Sequence, residues 1–95
     1  MATVVVGDFE WNDSKARTNL KKHGISFEEA ISALADPRAI SAPDLVDPDR
    51  WIVIGRSALL RVVFVVHTEQ YTSGRVRILS ARKASDGQRR KYEAA

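Results

Sequence analysis

Five successive apolar residues, Val62-Val63-Phe64-Val65-Val66, constrain the fold of this chain more than any other feature. A strand with one wet face alternates apolar and polar side chains, so a run without alternation is covered on both faces and sits inside a sheet. Trp51 to Ile54 is apolar at successive positions in the same way. The links Ser57-Ala58-Leu59 and Gln70-Tyr71-Thr72-Ser73-Gly74 are short, which implies antiparallel neighbours. From Arg38 onward β-branched residues concentrate, and the pattern predicts strands at 51–56, 60–68 and 75–82, with a weak one at 39–42.

The first third reads differently. A short extended segment covers Val4 to Val6, and Phe9 and Trp11 can continue it. Asn12 or Asp13 then caps a helix that runs to His23 and stops at Gly24, with a thin apolar stripe of Ala16 and Leu20. Ser26-Phe27-Glu28-Glu29 has the form of a capping box; Phe27, Ala30, Ile31 and Leu34 share one face behind it, and Asp36-Pro37 ends the helix. Residues 84–95 form a charged final helix, weakened by Gly87 by about 1 kcal/mol relative to alanine. The expectation is an α+β domain spanning 1–95, with an N-terminal αα-hairpin packed on a mainly antiparallel sheet of three to four strands, then a C-terminal helix. Residues 1–7 would add an edge strand or a frayed terminus.

A chain of 95 residues, 44% apolar, can close one core but not two. It has no cysteine, which removes disulfides, thiolate zinc sites and thiol nucleophiles and suits a reducing cytoplasm. Its longest apolar run is far below the roughly 20 residues of a membrane helix, and no signal segment opens it. The expected setting is cytoplasmic, with no membrane partner. Net charge is +3, but residues 1–49 carry five basic and nine acidic residues (−4), whereas residues 50–95 carry ten and three (+7). The second half therefore faces polyanions: RNA, DNA or an acidic protein.

The stretches Phe9-Glu10-Trp11-Asn12, Lys22-His23-Gly24-Ile25-Ser26-Phe27-Glu28-Glu29-Ala30, Ile54-Gly55-Arg56-Ser57, Val66-His67-Thr68-Glu69 and Arg77-Ile78-Leu79-Ser80-Ala81-Arg82-Lys83-Ala84 resemble, in order and spacing, the BrnT toxin family. The resemblance covers residues 9 to 93. It implies a RelE-like fold, growth arrest through RNA cleavage and blocked translation, and a BrnA-like antitoxin. That antitoxin would form a hetero-oligomer with the toxin and bind operator DNA. The chain departs from the family pattern where the last helix commonly has basic residues and a glutamate before Arg89; here stand Gly87 and Gln88.

Metal-free RNA cleavage needs one group to remove the 2′-hydroxyl proton, another to supply a proton, and cations to stabilise charge on phosphorus. Arginine can only do the last. His67 titrates near neutrality and sits near a strand end, and strand alternation places it on one face with Arg61. If helices cover the Val76 and Ile78 side, Arg75 and Arg77 lie on the open face beside them as a phosphate cradle. Arg82 would join Arg77 only through a bulge. It enters with Lys83 because both match the family's most characteristic stretch. Tyr92 enters because terminal-helix tyrosines act in some RelE-like relatives, although packing of its ring on the sheet explains it equally well. The expected catalytic set is therefore His67, Arg61, Arg77, Arg82, Lys83 and Tyr92, with Arg56, Arg75 and Arg89 binding substrate. His23 reads as a helix cap, and Trp11 and Trp51 as core or rim anchors. No metal or other cofactor is implied: the histidines are distant and no carboxylates are spaced as ligands. Two other classes fit the same charge, a non-catalytic nucleic-acid-binding module and a structural partner-docking protein.

Overall fold

The computed structural model describes residues 2–70 and 72–95; Met1, and Tyr71 of the expected turn, lie outside the described residues. The chain opens with a hairpin. Strands β1 (Thr3–Val6) and β2 (Phe9–Asn12) pair antiparallel, Val6 opposite Phe9, around Gly7, whose φ of 57° is left-handed. Asn12 caps helix α1 (Asp13–His23) by accepting from the Lys15 amide, and Gly24 ends it at φ 72°. Helix α2 (Phe27–Leu34) follows, then strands β3 (Ile40–Pro43), β4 (Trp51–Arg56), β5 (Val62–Glu69) and β6 (Val76–Lys83), and helix α3 (Asp86–Ala94).

The six strands form one sheet in the order β1-β2-β6-β5-β4-β3. Strand β2 runs parallel to β6, and every other neighbour is antiparallel. This corrects the expected three- to four-stranded antiparallel sheet with an N-terminal helical hairpin. The turn at Gly7 splits what read as one extended segment into two strands, and the parallel β2–β6 pair joins residues over 60 positions apart, which leaves no local signal. The two helices do not form a pair of their own: α1 packs on β2 and β6, and α2 on β4, β5 and β6.

The core lies between these helices and one face of the sheet. Trp11, Ile25, Phe27, Ala30 and Ala33 meet Val63, Val65, Ile78 and Ala81 there, with the Trp11 and Phe27 rings edge to face. Leu79 is an extra residue in β6, since Ser80 pairs with Val66 while Ile78 pairs with His67. This bulge lets both Ile78 and Ala81 point into the core. Asn19 of α1 supports it. Buried among apolar groups, its amide accepts from the Ala81 N–H at 3.1 Å and donates to the Ala81 and Ile25 carbonyls at 2.7 and 3.0 Å.

Two acidic groups fasten α2 to the sheet. The Ser26 hydroxyl caps the Glu29 amide as expected, but the Glu29 carboxylate does not turn back to complete a capping box. It is buried, bound twice by the Arg61 guanidinium, and accepts from the Ser57 hydroxyl at 2.7 Å. Arg61, aided by Ser57 and overcoming the cost of burial, holds the Glu29 carboxyl below the usual carboxylate range. Just past α2, Asp36 accepts from the Tyr92 hydroxyl and from the Arg56 and Arg38 amides, which depress its pKa likewise. The capping box appears instead in α3, where Ser85 and Gln88 satisfy each other's backbone N–H.

At Gly55 the backbone of α2 lies close against the sheet. A Cβ there would lie 2.5 Å from the Ala33 carbonyl oxygen, so Gly55→Ala should destabilise the domain by about 1–3 kcal/mol in denaturant titration. Glu29→Ala should cost about 2 kcal/mol, below the full penalty of orphaning a buried charge because Arg61 keeps access to water. The sign with pH follows from the depressed pKa: the contribution of Glu29 is present at neutral pH and is lost as acidity increases below about pH 4. A stability-versus-pH curve should therefore fall less steeply at acid pH in Glu29→Gln than in the parent chain.

Candidate active site

The expected site residues occupy three places. Arg61, just before β5, and His67 near its end do fall on one side, as alternation requires, but it is the helix-covered side, because Val63 and Val65 between them are the buried core residues. They also stand at opposite ends of the strand, roughly 20 Å apart at about 3.3 Å per residue.

The other face of the sheet carries Arg77 and Arg82. The Leu79 bulge brings them onto one side, since Arg77 pairs with Thr68 and Arg82 with Phe64, four residues apart on a regular strand. Both are engaged. The Arg77 guanidinium binds Glu10, which also accepts from the Ser73 hydroxyl at 3.0 Å. Burial would raise the Glu10 pKa, but the Arg77 and Ser73 hydrogen bonds outweigh it and the net shift is downward. The Arg82 guanidinium lies 4.2 Å above the Phe64 ring and donates to the Gln88 side chain at 3.2 Å. Gln88 thus ties the last helix to β6. Arg75, beyond the start of β6, is partly exposed.

Tyr92 is buried, and its hydroxyl donates to Asp36, which raises the Tyr92 pKa. A phenol held in that way positions α3 against the sheet. His67 lies in a groove of about 500 Å³ at the start of β4 and the end of β5, with Trp51, Asp36 and Glu69 among its walls. Burial pushes its pKa below the ordinary histidine value, although the Thr68 backbone and the Glu69 charge oppose this.

The remaining cations do converge. Where β4 ends, β5 begins and β6 gives way to α3, a groove of about 290 Å³ is lined by Arg56, Arg61, Lys83 and Arg89, together with Glu93 and the apolar Leu60 and Val62. Its floor is rigid for identifiable reasons. Arg61 is clamped by Glu29 and also donates to the Gly24 carbonyl at 3.2 Å, and the Arg56 amide is held by Asp36 at 2.8 Å. The turn between β4 and β5 closes through Ser57 and Leu60, with Leu60 at φ 64°, a left-handed conformation that costs a non-glycine residue about 1–2 kcal/mol. Arg89 and Glu93 approach to 4.0 Å one turn apart on α3. Glu93 was not singled out from the sequence, though its spacing from Arg89 on a helix is the signal that places them together.

This arrangement can take a phosphodiester. Four cations surround a small concave volume, an exposed carboxylate stands beside them, and Lys83 supplies an exposed ammonium. Among the described residues, no three His, Cys, Asp or Glu side chains gather as a metal-holding group, and no helix is long and apolar enough to cross a membrane.

Comparison with known proteins agrees with this chemistry. Comparison with curated proteins returns no match. Among solved structures, the chain is similar to the crystal structure of the Brucella abortus ribonuclease toxin BrnT, with 28% identity and a TM-score of 0.65 over 80% of this chain and 94% of that one. The family described as ribonuclease toxin, BrnT, of type II toxin-antitoxin system matches residues 11–87, which takes in the end of β2, α1, α2, β3 to β6 and the start of α3. The chain belongs to the BrnT family of ribonuclease toxins of type II toxin-antitoxin systems.

Proposed function

We propose that this toxin is a metal-independent endoribonuclease whose scissile phosphate lies in the groove of Arg56, Arg61, Lys83 and Arg89. The observation that carries the reading is the convergence of those four cations with Glu93 on one small concavity. The Glu93 carboxylate takes the proton of a ribose 2′-hydroxyl as that oxygen bonds to phosphorus. The bond from phosphorus to the 5′-oxygen breaks, and the Lys83 ammonium gives its proton to the departing oxygen. The products are a 2′,3′-cyclic phosphate and a 5′-hydroxyl end. Arg56 and Arg89 hold the non-bridging oxygens as negative charge grows, and Arg61, fixed by Glu29, adds a cation that does not have to reorganise. Tyr92 acts as a positioning residue that keeps Arg89 and Glu93 over the groove through Asp36.

The partner we propose is a BrnA-like antitoxin that covers this groove or displaces α3, and whose DNA-binding region carries the hetero-oligomer to operator DNA. RNA cleavage in the absence of antitoxin would then block translation and arrest growth inside the cell.

Glu93→Gln and Lys83→Ala should each lower the cleavage rate by about 10²–10⁴-fold in EDTA, with cyclic phosphate ends in the residual product. Neither should change thermal stability appreciably, since both side chains are exposed. Salt-sensitive RNA binding with no new ends in the parent chain would contradict the reading, as would full activity in both variants. Tyr92→Phe separates positioning from chemistry. It should loosen α3 and reduce the rate at saturating substrate, without the change in pH profile expected if the phenol itself moved a proton.

A further inference from the structure

The groove at His67 lies outside the proposed catalytic site and has its own chemistry. It opens on the helix face of the sheet with a volume of about 500 Å³. Trp51 stands directly opposite His67 in the β4–β5 register, and the residue is 40% exposed, whereas Trp11 is 1% exposed in the core. An aromatic ring left half in water at the wall of a groove is a stacking platform for a flat ligand.

The polar groups narrow the choice. Asp36 and Glu69 are both acidic and line the groove, which disfavours a phosphate there. The ligand that suits these walls is a neutral ring with N–H donors on its edge. Asp36 already accepts from Tyr92 and from the Arg56 and Arg38 amides, so Glu69, exposed at the end of β5, is the acceptor that faces a newcomer. The Nδ1 of His67 is buried with no hydrogen-bond partner among the described residues, which leaves it free to pair with a ligand if the ring turns towards the groove.

A carboxylate has only acceptors, and two of them side by side match a pair of parallel donors. Guanine presents that pair, N1–H and the exocyclic amine, on its Watson–Crick edge. Adenine and cytosine put a donor beside an acceptor, and uracil flanks its one donor with two carbonyls. We propose that this groove holds an unstacked guanine of the RNA, with its ring on the Trp51 indole and its Watson–Crick edge against the Glu69 carboxylate, next to the His67 imidazole. This rests on the reading of RNA as substrate. Asp36 also links the two grooves, because the same carboxylate that lines the guanine groove holds the Arg56 amide beside the phosphate groove. The six residues of β4 from Trp51 to Arg56 span roughly 16 Å, so a short single strand reaches both.

The test uses nucleosides, which carry no phosphate and so leave the cationic groove silent. Guanosine, adenosine, cytidine and uridine are titrated against the whole chain while Trp51 fluorescence is followed, with buried Trp11 as a constant background. Guanosine should quench saturably, with the other three weaker by about tenfold or more, and Glu69→Gln should weaken guanosine by a similar factor. Equal quenching by all four, unchanged guanosine binding in Glu69→Gln, or quenching that survives Trp51→Leu overturns the proposal. No guanosine binding alongside intact RNA cleavage overturns the guanine groove alone; guanosine binding without cleavage overturns the catalytic reading and leaves the groove standing. A short 2′-O-methyl RNA with one guanine should bind more tightly than guanosine, and equal binding of the same RNA with adenine in place of that guanine would overturn the proposal.

Discussion

Glu29 cannot remain ionised inside this domain unless cations and hydroxyls surround it, and that requirement organises one end of the sheet. Its carboxylate draws in the Arg61 guanidinium and the Ser57 hydroxyl, which ties α2 to the turn between β4 and β5. Asp36 repeats the device six residues beyond the end of α2's first turn, binding the Arg56 amide and the Tyr92 hydroxyl. One helix and its exit thus set the positions of a strand end, a turn and the last helix. Of the groups that line the cationic groove, the Arg61 guanidinium is held from behind by the Glu29 carboxylate and the Arg56 backbone by Asp36.

The same economy of charge separates the two grooves. At one end of the sheet, Arg56, Arg61, Lys83 and Arg89 outnumber Glu93; at the other, Glu69 and Asp36 stand beside an imidazole whose pKa burial lowers. A polyanion prefers the first and a neutral ring with donors the second. An RNA strand offers both chemistries, alternating along its length. The segregation of charge along the sequence is therefore only a coarse guide. Asp36 and Glu93 show that isolated acidic residues inside a basic or acidic half matter more than the net charge of either.

Much of the scaffold could be read in advance where a local rule decided it. The central strands followed from apolar runs, the end of α1 from Gly24, and α2 from its cap and stripe. What escaped was non-local. Nothing near Phe9 announces a parallel partner at Val76, and nothing in α1 marks Asn19 as the residue that would be buried while Leu20 stays 50% exposed. An asparagine inside a helix face looks unfavourable until a β-bulge supplies the Ala81 backbone groups that satisfy it. Glu29 had the right spacing for a capping box and was recruited instead by an arginine 32 residues away. The candidate site suffered from the same blindness. Alternation correctly put Arg61 and His67 on one face, but which face the helices would cover depended on Val63 and Val65 being the deeper pair, and the distance along β5 then placed the two at separate ends.

The most direct measurement of where the scissile linkage sits is amide chemical-shift mapping of the whole chain with a 2′-O-methyl RNA dinucleotide, which binds but has no 2′-hydroxyl to attack. The account predicts that the largest shifts fall at Arg56, Lys83, Arg89 and Glu93. Saturable binding that moves Arg75 and Arg77 instead, and leaves those four unperturbed, would contradict it.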